Sequence, residues 1–197
     1  IAFDRTFRHV ARIADRLHYT GYVVERSASI GLHSAGAGEV IVSAGGGAVG
    51  RRLLETAVRA RPLTALAGRT WRVLAGVSAG AAEFTALAAL ARDIGEGRVV
   101  VERVRADFTQ LLGNCLLSVS QVGYNTIMET LQAGARAVAV PWAGGAETEQ
   151  TVRARLLAER GLVELVEEDA LGPQTLAAAV DRAALRPQRV GQAIDLR

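Results

Sequence analysis

Short apolar runs alternate with longer amphipathic stretches along most of the chain, from about residue 38 onward. Runs rich in Val, Ile and Leu are typical of strands, whereas apolar residues that recur every three or four positions are typical of helices. The pattern predicts six strands, at residues 39–43, 71–74, 99–104, 117–121, 135–140 and 162–166. It predicts the helices that follow them at residues 51–61, 81–92, 107–114, 126–133, 149–160 and 174–185.

This regular alternation predicts an α/β fold, in which a parallel sheet is covered by helices on both faces through right-handed crossovers. We expect a doubly wound, Rossmann-like domain with a six-stranded parallel sheet in the order 3-2-1-4-5-6. In that order a ligand binds at the carboxyl ends of strands 1 and 4, where the direction of winding reverses.

The first 37 residues do not follow the alternation. The Arg-rich stretch Arg5–Arg16 has the pattern of an amphipathic helix, Tyr19–Val23 that of a short strand or linker, and Ser27–Gly38 that of a loop. We therefore expect residues 1–37 to be an interdomain connector or a remnant of a preceding half, residues 38–186 to form the main domain, and residues 187–197 to be a C-terminal tail.

Composition narrows the function classes. All 23 basic residues are Arg, the net charge is +3, and no basic tract is interleaved with aromatic residues, so nucleic-acid binding is not favoured. The single cysteine, Cys115, excludes an internal disulfide, and its apolar neighbours predict a buried, unreactive thiol. No signal peptide and no apolar run of about 20 residues is present, which favours a cytoplasmic location.

Three glycine-containing segments follow predicted strands. The first, Gly45–Gly50, formally fits the dinucleotide pattern, in which glycines let the backbone approach a pyrophosphate at a helix N-terminus. The alternative is a tight turn that needs a positive φ. An NAD or FAD site is disfavoured because the second strand ends at Ala75 without a carboxylate, and a Walker loop is excluded because the chain contains no Lys.

The other two segments are Gln121–Glu129 and Pro141–Gln150. In the former, the helix start is suited to a phosphate and Glu129 to a ribose, but Thr126 and Glu129 equally fit a capping box. In the latter, polar side chains at a helix start are suited to sugar hydroxyls, while Thr148 as a simple helix cap is the alternative. Convergence of all three on one crevice is the argument for a binding site.

Together these segments resemble the C-terminal domain of family 28 glycosyltransferases, whose best-known bacterial member is the peptidoglycan N-acetylglucosaminyltransferase. The resemblance is carried by Val42–Gly47, Ser120–Thr126 with Glu129 and Gly134, and Pro141–Gln150. It implies a bacterial protein of GT-B architecture, two Rossmann-like domains of which this chain is the C-terminal, donor-binding half. The missing N-terminal half would hold the acceptor, and peripheral membrane association, if any, would be through that half.

The resemblance also implies roles for individual residues. Glu129 would hold the ribose, Glu149 and Gln150 would contact the donor sugar, and backbone near Val104 and Arg105 would meet the base. The implied donor site consists of Gly45, Gly46, Gly47, Val104, Arg105, Gly123, Tyr124, Asn125, Thr126, Glu129, Glu149 and Gln150. Glu149 stands where the peptidoglycan enzyme has an amide, so the donor sugar stays open.

The expected function is transfer of a hexose from a nucleoside diphosphate sugar, with UDP as the expected nucleotide, to a hydroxyl acceptor. No cofactor is expected, and the absence of an Asp-x-Asp pair predicts that no metal is required. No histidine is a convincing catalytic base, so this chain alone is expected to be inactive. The alternatives are a non-catalytic nucleotide-binding module and a sugar-nucleotide epimerase of the same architecture.

Overall fold

A computed structural model of the chain describes residues 9–18, 35–45, 50–144 and 149–188. The six strands are β1 (Val40–Ser43), β2 (Trp71–Ala75), β3 (Val99–Arg103), β4 (Leu117–Gln121), β5 (Ala137–Val140) and β6 (Glu164–Leu165). The six helices are α1 (Arg51–Ala60), α2 (Ala81–Ile94), α3 (Phe108–Asn114), α4 (Tyr124–Gln132), α5 (Glu149–Glu159) and α6 (Pro173–Ala184). Two short 3-10 helices cover Val10–Arg16 and Arg61–Leu63.

The strands form one parallel sheet in the order β3-β2-β1-β4-β5-β6. Both the predicted class and the predicted order are confirmed. In the centre, β1 lies between β2 and β4, with Ser43 opposite Leu74 on one side and Ser120 on the other. The chain winds outward from β1 in both directions, which places the reversal point between β1 and β4.

Apolar residues on both faces of the sheet pack against helices. On one face, β-strand residues such as Val42, Val73 and Val119 pack with α1, α2 and α6. On the other face, α4 and α5 pack on β5, and α3 packs near Ile41 and Leu74. All four residues of β1 are buried, as expected for the central strand of a sheet covered on both sides.

Several elements differ in length from the prediction, and backbone hydrogen bonds explain why. Strand β5 begins at Ala137 rather than at residue 135, because the Ala135 amide closes the end of α4 on the Thr130 carbonyl. Strand β6 is shorter than predicted because the Leu162 amide bonds back to Leu157 of α5.

The predicted amphipathic helix at Arg5–Arg16 is described only in its second half. That half is the 3-10 helix Val10–Arg16, and none of its residues is buried. The remaining predictions for the first 34 residues, including Tyr19–Val23, lie outside the described residues, and the connector stays a prediction.

A ladder of charges crosses the face of the sheet that carries α3. Two nitrogens of the Arg72 guanidinium, Nε and Nη2, donate hydrogen bonds of 2.7 and 2.8 Å to the carboxylate of Glu39. Arg72 also pairs with Glu102. Glu102 in turn accepts from Arg105, which holds both carboxylate oxygens of Asp107 at 2.6 and 2.7 Å. The ladder joins β1, β2 and β3 to the start of α3.

Candidate functional site

The two ends of the loop after β1 lie close together at Gly45 and Gly50, and we call this pair of ends the loop neck. Gly45 has a φ of +69°, a conformation that favours glycine, and its amide lies 3.2 Å from Oγ of Ser43. A Cβ on Gly50 would lie 1.8 Å from Cβ of Ala44, so the two ends of the loop touch. The positive φ that the tight-turn alternative requires is present at Gly45, whereas Gly50 has a φ of −94° and needs glycine only because of its contact with Ala44. Gly46 and Gly47 lie outside the described residues.

The neck of this loop lies against the start of α4. A Cβ on Gly45 would lie 3.5 Å from Oγ1 of Thr126, which is ordinary van der Waals contact. The contact follows from the topology, because β1 and β4 are hydrogen-bonded neighbours and both chains leave the sheet at the same edge. The first two glycine segments therefore lie next to each other where both are described, at Gly45 and Thr126, and a crevice shared by them stays a prediction.

Helix α4 begins at Tyr124, two residues earlier than predicted. Gly123 is its N-cap residue, and the first helical hydrogen bond runs from the Ile127 amide to the Gly123 carbonyl at 3.0 Å. The amides of Tyr124, Asn125 and Thr126 consequently have no acceptor within the helix, which gives this end a partial positive charge.

The capping-box alternative for Thr126 and Glu129 is wrong. Thr126 lies inside the first turn, is buried, and no side chain caps the helix. Glu129 therefore lies well beyond the cap and is half-buried, and its carboxylate makes no hydrogen bond or ion pair with any described residue. Partial burial raises the pKa of its carboxyl above the usual range. A half-buried carboxylate with free acceptor atoms is suited to hydroxyl donors.

The two polar residues at the start of α5 are engaged differently. Glu149 is exposed and pairs with Arg153 one turn later. Oε1 of Gln150 accepts a hydrogen bond from the Trp142 amide at 3.2 Å, which ties the loop after β5 to α5. That bond uses the oxygen of Gln150 and leaves its NH₂ group as a donor. Thr148, the alternative cap, lies outside the described residues.

Arg153 is a residue that the sequence interpretation missed. Its side chain is only 6% exposed, donates to the Val122 carbonyl at 2.9 Å and lies over the ring of Tyr124. The four-residue spacing from Glu149 was a visible signal of a helical ion pair. Its burial between two segments was not, because that depends on how α5 packs beside α4.

The backbone at the end of β3 includes Val104 and Arg105, which the sequence interpretation placed next to the base. The Val104 amide donates to the Ala75 carbonyl at 2.9 Å, so it is already used. The Val104 carbonyl and the Arg105 amide, by contrast, have no hydrogen-bond partner among the described residues. The Arg105 guanidinium donates hydrogen bonds to the Asp107 carboxylate. These bonds raise the pKa of Arg105 and lower the pKa of Asp107.

The remaining candidate groups are the histidines and the single cysteine. His9 and His18 are exposed beside the first 3-10 helix, and His33 lies outside the described residues. Burial raises the pKa of the Cys115 thiol to about 12. Across the described ranges, no group of three or more His, Cys, Asp or Glu side chains is placed to hold a metal ion. No helix in the same part of the chain has the length and apolarity to cross a bilayer.

The sequence-family model of the glycosyltransferase family 28 C-terminal domain matches this chain over residues 44–194, which is most of its length. The chain belongs to this family. The match begins at Ala44, beside the glycine neck, and includes both α4 and α5. The resemblance drawn from the three loops is thereby confirmed, and the sheet order is that of the C-terminal half of a GT-B fold.

Solved structures show the same fold at low sequence identity. The glycosyltransferase of kitacinnamycin is 24% identical, with a TM-score of 0.65 over 88% of this chain and 42% of that one. MurG of Acinetobacter baumannii is 21% identical, with a TM-score of 0.60 over 75% of this chain and 44% of that one.

The glycosyltransferase VinC, solved in complex with dTDP, is 18% identical, with a TM-score of 0.58 over 79% of this chain and 35% of that one. This family 28 domain therefore spans less than half the length of each of these proteins. No curated protein sequence matches it.

Proposed function

We propose that this family 28 domain binds the nucleoside diphosphate sugar from which the whole enzyme transfers a hexose to a hydroxyl acceptor. The observation that carries the proposal is the closeness of Gly45 to Thr126, where a Cβ built on Gly45 would lie 3.5 Å from Oγ1 of Thr126. It places a glycine turn beside the N-terminus of α4, and anions bind favourably at such helix starts. Stabilising the departing diphosphate is the main electrostatic task of the reaction, and the amides at this helix start are oriented before the reaction begins.

Glu129 is the proposed ribose clamp. It lies farther along α4 than the proposed phosphate contacts, half-buried, and its oxygens are unused by the described residues. The two ribose hydroxyls of a uridine nucleotide would supply donors to the carboxylate. Hydrogen bonds to a charged group are the stronger kind, each contributing about 1.5–3 kcal/mol.

The end of β3 supports a uracil-type base. With the Val104 amide already used, one carbonyl and the next amide, that of Arg105, are available. The two groups belong to one trans peptide unit and point in opposite directions, so only one of them can face the base. The Val104 carbonyl, as an acceptor, would suit the N3–H of uracil or thymine, whereas N3 of cytosine is itself an acceptor. UDP and dTDP therefore share this contact, and the ribose clamp distinguishes them, because only UDP has a 2′-hydroxyl.

The sugar would lie toward the α5 start, where Gln150 presents its NH₂ group and Glu149 is exposed. A divalent metal is not required in this proposal, because the helix amides supply the positive potential. The acceptor and the base that deprotonates it belong to the other half of the enzyme. We propose a cytoplasmic location for the reaction, where nucleotide sugars are available.

Calorimetric titration of the chain with UDP, dTDP, CDP, GDP, UDP-glucose and UDP-N-acetylglucosamine tests the proposal. We expect UDP and at least one UDP-sugar to bind most tightly, dTDP less tightly, and CDP and GDP weakly. Affinity in the micromolar to millimolar range is sufficient, since closure of two domains often contributes to binding. Absence of binding by every nucleotide would overturn the donor-binding function, and preference for CDP or GDP would overturn the assignment of the base contact.

A further inference from the structure

The start of α5 is joined to the start of α4 by one buried cation, Arg153. Arginine is rarely buried to this extent unless its donors are paired, and here they are. Nη1 donates a hydrogen bond of 2.9 Å to the carbonyl of Val122, the residue directly after β4. Nη2 pairs with Glu149 at the first position of α5. The guanidinium carbon also lies 5.5 Å from the centroid of the Tyr124 ring, at the first position of α4.

These two helix starts would serve different parts of one ligand. The α4 start lies beside the loop neck at Gly45, on the proposed phosphate side. The α5 start carries Gln150, which holds the Trp142 backbone on the proposed sugar side. A ligand that touches both sides gains the full benefit of each contact only when the two are held at the correct separation.

We infer that Arg153 is a positioning residue that sets this separation, so that the diphosphate and the sugar of one nucleotide sugar are held at the same time. The inference rests on the proposed function. In this inference Arg153 acts through its neighbours and not by touching the ligand, because both of its terminal nitrogens are directed to Val122 and Glu149. Lysine cannot replace it fully, since a single ammonium lacks the planar fork that reaches several partners and stacks on a ring.

The test compares Arg153→Met with Arg155→Met, a change to an arginine of the same helix that is 59% exposed and pairs with Glu167. Each variant of the chain is titrated calorimetrically with UMP, UDP-glucose and UDP-N-acetylglucosamine, and its thermal unfolding is recorded. UMP lacks both the β-phosphate and the sugar, so it reports on the base, ribose and α-phosphate contacts alone.

We expect Arg153→Met to lower the affinity for the UDP-sugar that the wild type prefers by about tenfold, which is a loss of about 1.4 kcal/mol of binding free energy. The affinity of this variant for UMP should stay within about twofold of the wild-type value. Arg155→Met should change the affinity for neither ligand. A purely structural role of Arg153 would lower the melting temperature and leave the ratio of the two affinities unchanged, which would overturn the inference.

Arg153→Lys serves as the second variant, and is decisive if the methionine variant does not fold. Lysine should lose part of the UDP-sugar affinity and none of the UMP affinity. Full wild-type affinity with lysine would show that charge alone suffices and would overturn positioning. A wild type that binds UMP and UDP-sugars equally would also overturn it, whereas a wild type that binds no nucleotide would overturn the proposed function first.

Discussion

Replacement of Glu129 by Gln separates a ribose clamp from a merely structural residue. The structure places this carboxylate inside α4, where it neither caps the helix nor pairs with any described side chain. No stabilising interaction is therefore lost when its charge is removed. The substitution should affect the ligand and leave the fold intact.

The magnitude follows from the kind of hydrogen bond that is weakened. Bonds to a charged acceptor contribute about 1.5–3 kcal/mol and bonds between neutral groups about 0.5–1.5 kcal/mol. The substituted glutamine side chain would retain one neutral acceptor, so the difference is about 1.4 kcal/mol, or about tenfold in the affinity for UDP. The loss should be smaller for 2′-deoxy-UDP, which has one hydroxyl fewer to bind.

The difference in stability between this variant and the wild type should depend on pH in a defined direction. Burial raises the folded-state pKa of Glu129, so in the window above the unfolded pKa of about 4.3 the folded state binds more protons than the unfolded state. The free energy of unfolding of the wild type consequently falls as the pH rises through that window. Glu129→Gln should be slightly more stable than the wild type at pH 7, and the difference should disappear below pH 4.

Calorimetry with UDP and 2′-deoxy-UDP measures the affinities, and urea denaturation at pH 4 and pH 7 measures the stability. Glu159→Gln removes the same charge from an exposed position at the end of α5 and is the control. The reasoning is refuted if the Glu129 variant binds UDP as the wild type does. An equal loss for both nucleotides, or the same loss in the control, would also refute it.

Two further predictions test the loop neck and the charge ladder. Gly50→Ala should destabilise the chain by about 3 kcal/mol, because its Cβ would overlap that of Ala44. Gly113→Ala, inside α3 and facing open space, should be neutral or stabilise by up to about 1 kcal/mol, so equal effects in urea denaturation would contradict the close contact. Arg72→Met should cost about 2–4 kcal/mol, because two largely buried carboxylates lose their shared cation. The exposed pair of Arg51 provides the control, and Arg51→Met should show no measurable loss in the same assay.

Much of this protein was predictable from local sequence patterns. The spacing of apolar residues within each segment determines whether it forms a strand or a helix, and the strict alternation of the two indicates a parallel, doubly wound sheet. The order of the strands followed from the same rule and was confirmed. Gly45 marked the turn after β1, because its positive φ favours glycine. Gly123 marked the start of α4, although its φ of −57° and the open space around it do not require glycine.

What the sequence left open were contacts between segments that are distant along the chain. Thr126 and Glu129 fitted a capping box, and only the backbone hydrogen bond from Ile127 to Gly123 showed that the helix starts at Tyr124. Glu149 was an exposed acid in either interpretation, yet its partner Arg153 became a buried link between α4 and α5 because those helices lie side by side on one face of the sheet.

The charge ladder has the same origin. Glu39, Arg72 and Glu102 are each ordinary charged residues at a strand or next to one, and no local pattern pairs them. They meet because β1, β2 and β3 are neighbours and their side chains point to the same face. Local chemistry therefore determined the elements and their turns, while the sheet order determined which charges are buried together, since burial and pairing depend on neighbours that only the tertiary structure supplies.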